Sequence, residues 1–147
     1  MKVHNVMEKD VKTCSPDDTL ESVAMMMWNS DCGSAPVIDH SGKPIAIITD
    51  RDIAMSCALN HKPLWELRTR DVTNNRPLYT CNENDDMRSA LETMKSHRIR
   101  RLPVVDDLGH LQGLISIDDV VAFSEEKLPD LSFQDTMSTL KAVCIHH

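Results

Sequence analysis

Two short runs pair a hydroxyl with a carboxylate in a pattern that could hold a small polar ligand. Thr49-Asp50-Arg51-Asp52 and Ser116-Ile117-Asp118-Asp119 each set a hydroxyl three positions before an aspartate, directly after an apolar run. An aspartate is a bidentate acceptor for the two hydroxyls of a ribose. A Thr or Ser hydroxyl and the free amides that open a helix can donate to a phosphate, which the helix dipole also favours. The same residues also read as plain helix caps, satisfying strand-end and helix-start amides. Both readings stand at this point.

Other combinations are weaker. Cys14, Cys144, His146 and His147 are soft or borderline ligands, and a metal- or redox-responsive protein would use them. A zinc site needs about four converging ligands, however, and their spacing guarantees none. Cys14 and Cys81 lie in strand-like runs, where buried structural thiols are expected rather than reactive ones. No Ser/His/Asp triad, paired carboxylates or Gly-rich phosphate loop assembles with any specificity. The chain therefore reads as a non-enzyme that requires no cofactor.

The elements that position the two runs are themselves repeated. Ala35-Pro36-Val37-Ile38-Asp39 returns as Leu102-Pro103-Val104-Val105-Asp106, at a fixed offset (103 − 36 = 67), and Asp52 returns as Asp119 at the same offset. Each copy reads as strand, helix, strand, strand, helix. In the first, Val11 to Cys14 reads as a short strand, and Asp18 and Glu21 have the spacing of a capping box. Leu20, Val23, Ala24 and Met27 then fall on one helical face, as do Met87, Ala90, Leu91 and Met94 in the second copy. Short apolar runs after Pro36 and Pro103 turn at Gly42 and Gly109 into Ile45–Ile48 and Gly113–Ile115, a hairpin signature. The following helices begin near Asp50 and Asp118, where carboxylates suit an N-terminus. Tandem copies of one supersecondary unit bury their apolar faces against each other.

Composition narrows the partners. Of the 147 residues 41% are apolar, enough for a core, and the formal net charge is −7. That charge argues against nucleic acid or anionic lipid as a partner, and 3% aromatic content leaves few rings for stacking bases. Neither an export signal nor a stretch of membrane-spanning length is present, so reduced thiols in a cytoplasm are expected. Trp65 is expected to pin the connector between the copies to the core. Ser132 is expected to start a last helix carrying Met137, Leu140 and Val143. Met25, Met26, Trp28 and Phe123 are candidates for apolar surface on the outer helices, which a twofold partner would cover.

This pattern, with His97-Arg98-Ile99-Arg100-Arg101-Leu102-Pro103-Val104-Val105-Asp106 as its central strand segment, closely resembles a tandem pair of cystathionine β-synthase (CBS) domains. The resemblance covers roughly residues 3–124 and is to small stand-alone bacterial CBS-pair proteins. It implies an α/β (α+β) fold of two repeats packed with pseudo-twofold symmetry: 3–60 as the first domain, 61–71 as connector, 72–124 as the second domain and 125–147 as a helical extension. It further implies a regulatory module for energy sensing. Adenosine-containing ligands (AMP, ADP, ATP or S-adenosylmethionine) would bind in clefts between the repeats, and occupancy would be signalled to an unknown protein target by a homodimer. A dimeric interaction scaffold without ligand is the alternative.

By that resemblance, one cleft would use Thr13, Ser15, Ser34 and Ala35 with Thr49, Arg51 and Asp52. The other would use Thr80, Asn82, Arg100, Arg101 and Leu102 with Ser116 and Asp119. The family often has glycine where the first copy has Ala46, while the second keeps Gly113, so the first cleft is expected to be the poorer one. Lys95, His97, Arg98, Arg100 and Arg101 flank the second motif, whereas Arg51 is the only cation near the first by sequence. The second is therefore expected to prefer phosphorylated ligands.

Overall fold

Helix α1 (Leu20–Asn29) exists because its apolar stripe has somewhere to go: Leu20, Val23 and Met27 are all buried. Its cap differs from the Asp18–Glu21 expectation. Thr19 has the extended backbone of an N-cap, and its hydroxyl accepts from the Ser22 amide at 3.2 Å. Asp18 stands one residue too early and instead accepts from the Ser15 amide at 2.8 Å, closing the preceding turn. The computed structural model describes residues 1–124 and 132–144.

Strands β1 (Ser34–Ile38) and β2 (Pro44–Thr49) form an antiparallel hairpin, with Ser34 opposite Thr49 and Ala35 opposite Ile48. The expected strand before α1 is reduced to one parallel bridge, Cys14 to Val37. Helix α2 (Asp50–Asn60) follows directly and ends at His61 in the left-handed region. A short helix, α3 (Thr69–Thr73), completes this unit, which comprises Val11–Leu78. Its core gathers Leu20, Val23, Val37, Ile48, Ile53 and Leu67. The expectation for Trp65 is overturned: it is 62% exposed, because the 3-10 turn Leu64–Glu66 points it outward. Leu67, buried, and Leu64, packed against the core, anchor the connector instead.

The second unit repeats the scheme. Its elements are β3 (Cys81–Asn82), α4 (Met87–His97), β4 (Arg101–Val105), β5 (Leu111–Ser116) and α5 (Ile117–Ser124). The sheet order is β3-β4-β5, parallel then antiparallel. Helix α6 (Phe133–Val143), capped by the Ser132 hydroxyl, packs on α4 and α5. Val143 joins the core, while Phe133 and Met137 stay exposed. Among the described residues, no helix is long and apolar enough to cross a membrane.

Met1–Asp10 packs with this second unit rather than with the copy it precedes. Val3 is buried in the second unit's core, and its amide donates to the Asp85 carbonyl at 2.9 Å. The first unit receives the connector in the same way, the Thr69 amide donating to the Asp18 carbonyl at 2.9 Å. Leu20 and Met87 likewise donate to Leu67 and Met1. The leading segments are thus matched at a spacing one short of the repeat (69 − 3 = 66).

Candidate functional site

The two hydroxyl–aspartate motifs are built alike. In the first, the Thr49 amide donates to Asp52 Oδ2 at 2.9 Å and the Asp52 amide donates to Thr49 Oγ1 at 3.1 Å, a capping box. In the second, the Ser116 amide and hydroxyl both donate to Asp119 Oδ2, at 2.8 and 2.7 Å, and the Asp119 amide donates to Ser116 Oγ at 3.2 Å. Ladder pairing sets Ser34 beside Thr49 and Arg101 beside Ser116. The Gly33 and Arg100 carbonyls accept from the first amides of α2 and α5, at 3.0 and 2.9 Å. Each motif therefore sits at the end of a hairpin and the start of a helix, with a half-buried carboxylate. The capping role is satisfied through Oδ2 alone.

The other oxygen separates the copies. Asp119 Oδ1 takes no partner among the described residues. Asp52 is gripped by Arg76, whose Nη1 donates to Oδ2 at 2.9 Å and Nη2 to Oδ1 at 3.0 Å. Burial alone would raise the Asp52 carboxyl, but the Arg76 guanidinium and the Thr49 amide and hydroxyl outweigh it and hold the group below the usual carboxylate range. Arg51 is therefore not the only cation near the first motif. Arg76 lies 24 residues from Asp52 in sequence, and spacing alone could not bring it there. The turn after α3, with Asn75 at φ 66°, delivers it.

The remaining predicted residues divide. The side chains of Ala35 and Leu102 are fully buried in the cores, so only their backbone can meet a ligand. Arg98 caps α4 in the left-handed region and Arg100 is exposed before β4; Arg101, half-buried, opens that strand. None of these guanidinium groups has an ion-pair partner among the described residues. Ser15 and Asn82 fall at the far ends of their sheets, beside Ile38 and Val105. Asn82 is occupied there, donating to Asp107 and accepting from the Asn84 amide, both at 2.9 Å. Thr13 and Ser15 line a cleft of about 460 Å³ with Cys14, Asp18, His40 and Arg70. Thr49 and Asp52 do not line it, since the length of β1, roughly 13 Å, intervenes. Thr80 is exposed just before β3.

Burial, with the Asp18 carboxylate, pushes the Cys14 thiol up to about 12; burial, with Asp85, does the same to Cys81. Cys144 is exposed and His146 lies outside the described residues. Among the described residues, no group of three or more His, Cys, Asp or Glu is arranged to hold a metal. Gly113 answers to the chain itself: a Cβ there would lie 2.5 Å from the Glu8 carbonyl oxygen and 2.9 Å from Met7 Sδ.

Comparison with known proteins agrees with this architecture. The CBS domain family profile matches residues 3–58 and 70–126. The Methanopyrus kandleri protein MK0525 is 33% identical over 121 residues, 82% of this chain and 61% of its own length. Inosine-5'-monophosphate dehydrogenase of Methanocaldococcus jannaschii is 34% identical over 120 residues, 82% of this chain but 23% of the enzyme. The chain thus spans less than two thirds of either relative. The crystal structure of the CBS domain pair of protein MJ0100, in complex with 5'-methylthioadenosine and S-adenosyl-L-methionine, aligns with a TM-score of 0.74 at 24% identity, covering 86% of this chain and 98% of that one.

Proposed function

This chain belongs to the CBS domain family through two tandem repeats, and from that premise we propose that it is a regulatory module that senses an adenosine-containing ligand at the Ser116–Asp119 motif. The observation that carries the reading is Oδ1 of Asp119, free among the described residues and held in place by a cap that needs only Oδ2. A ribose hydroxyl is a donor that fits it, and a second ribose hydroxyl can take the place of the Ser116 hydroxyl on Oδ2, whose two lone pairs otherwise serve the Ser116 amide and hydroxyl. The adenosyl compounds bound by the MJ0100 pair support the ligand class.

Arg100 and Arg101, one exposed and one beside Ser116, offer charge-assisted donors to a phosphate. AMP, ADP, ATP and S-adenosylmethionine are the compounds to compare. The protein does no chemistry on the ligand in this reading. It acts in the cytoplasm as a homodimer and passes occupancy to a protein target by a change of shape or association. Ligand titration followed by thermal melting tests it. At about 100 times the dissociation constant a ligand adds about 2.7 kcal/mol, or roughly 5–10 °C in a domain of this size. A flat response to all four compounds at millimolar concentration would favour the scaffold reading, in which both aspartates are caps and nothing more.

A further inference from the structure

We propose that Arg76 is a latch on the first motif: while its guanidinium holds both oxygens of Asp52, that carboxylate cannot receive a ribose diol, and the first copy takes an adenosine compound only with Arg76 displaced. The inference rests on the ligand reading above and adds which motif is available and why. A bidentate guanidinium uses the same two-oxygen edge that a ribose would use, through two charge-assisted bonds of 2.9 and 3.0 Å. Arg76 is placed there by backbone geometry. Helix α3 ends at Thr73, Asn75 turns the chain with φ 66°, and Pro77 holds the preceding residue extended.

The second copy lacks the latch for a reason that its leading segment makes plain. Val3 and Thr69 make the same hydrogen bond to equivalent carbonyls, as do His4 and Arg70. By sequence offset the counterpart of Arg76 is Asp10 (76 − 66 = 10), an acid where the first copy has a guanidinium, and the backbones part before it: Asn74 donates to the Arg70 carbonyl while Glu8 pairs with Leu114. An acid cannot ion-pair with Asp119, and among the described residues no cation does.

Adenosine is the probe, because it carries no phosphate that Arg76 itself could hold. Asp119→Asn weakens the second motif, so in calorimetry on that variant a gain that depends on Asp52 reports the first. Adding Arg76→Ala, or Arg76→Gln should the alanine variant melt early, is expected to tighten adenosine binding about tenfold, the worth of one strong charge-assisted contact. A further Asp52→Asn should abolish the gain. If the parent protein binds adenosine through Asp119 but neither Arg76 variant improves the Asp119→Asn protein, the latch is wrong and the ligand reading survives. If neither the parent nor any Arg76 variant binds adenosine or AMP at millimolar concentration, both fall together.

Discussion

Glu8 and Leu114 exchange a reciprocal pair of backbone hydrogen bonds, at 2.9 and 3.0 Å, which makes the N-terminal segment a further edge of the second copy's sheet. Gly113 permits that approach. A methyl group there would stand 2.5 Å from the Glu8 carbonyl oxygen, so the segment or the strand must move. Gly113→Ala is expected to destabilise the protein by about 1–3 kcal/mol, the usual range for forced overpacking. Denaturant unfolding measures it. A change below a few tenths of a kcal/mol would mean that Met7 and Glu8 do not rest on Gly113 in solution.

Cys14 and Cys81 are protected twice, by burial and by a thiol pushed up to about 12. Because the thiolate is the nucleophile, native protein treated with iodoacetamide at pH 8 should be labelled at the exposed Cys57 and Cys144, with Cys14 and Cys81 untouched. The folded value lies above the ordinary 9.0, so the stability these thiols contribute is complete below pH 9 and declines as pH rises toward 12. Rapid native labelling of Cys14, read by mass spectrometry, would contradict this packing.

Asp52 should titrate below the usual carboxylate range, and Arg76→Ala should raise it. Its folded value is depressed, so its stabilising contribution is present above the unfolded value of about 3.9 and is lost as pH falls through the folded one. Carboxyl carbon chemical shifts followed against pH report this directly. The same Asp52 value in both proteins would show that the guanidinium does not sit on the carboxylate.

Helix α1 carries Trp28 at 82% exposure, with Met25 at 51%. Two other sequence candidates, Met26 and Phe123, are instead partly buried against the cores. A homodimer that covers Trp28 should scatter light as about twice 16.6 kDa. Trp28→Asp should shift the mass toward the monomer. A monomeric parent at micromolar concentration would remove the dimer from the proposal.

Much of this architecture was legible because each local signal agreed with its repeat. The apolar stripes of α1 and α4 and the hairpins turning at Gly42 and Gly109 read alike in both copies, and so did the start of α2. What escaped was long-range. Val3 and Thr69 share no chemistry, and their segments are matched one residue off the main repeat, so the exchange of leading segments left no visible pattern. Gly113 read as room for a ligand, whereas the room is filled by Met7 and Glu8. Arg76 gave no signal either, because only the left-handed turn at Asn75 carries it to Asp52.

Calorimetric titration of the parent protein and Asp119→Asn with AMP and S-adenosylmethionine reads whether Asp119 receives the ribose of an adenosine compound. The asparagine keeps a carbonyl oxygen for the Ser116 amide and so preserves much of the cap, but it removes the charged acceptor. Saturable binding of at least one compound by the parent is expected, with a loss of affinity on the order of tenfold or more in the variant, consistent with a lost charge-assisted hydrogen bond. Equal affinity in the two proteins, with both folded, would place the ligand away from Asp119 and overturn its role as the ribose acceptor.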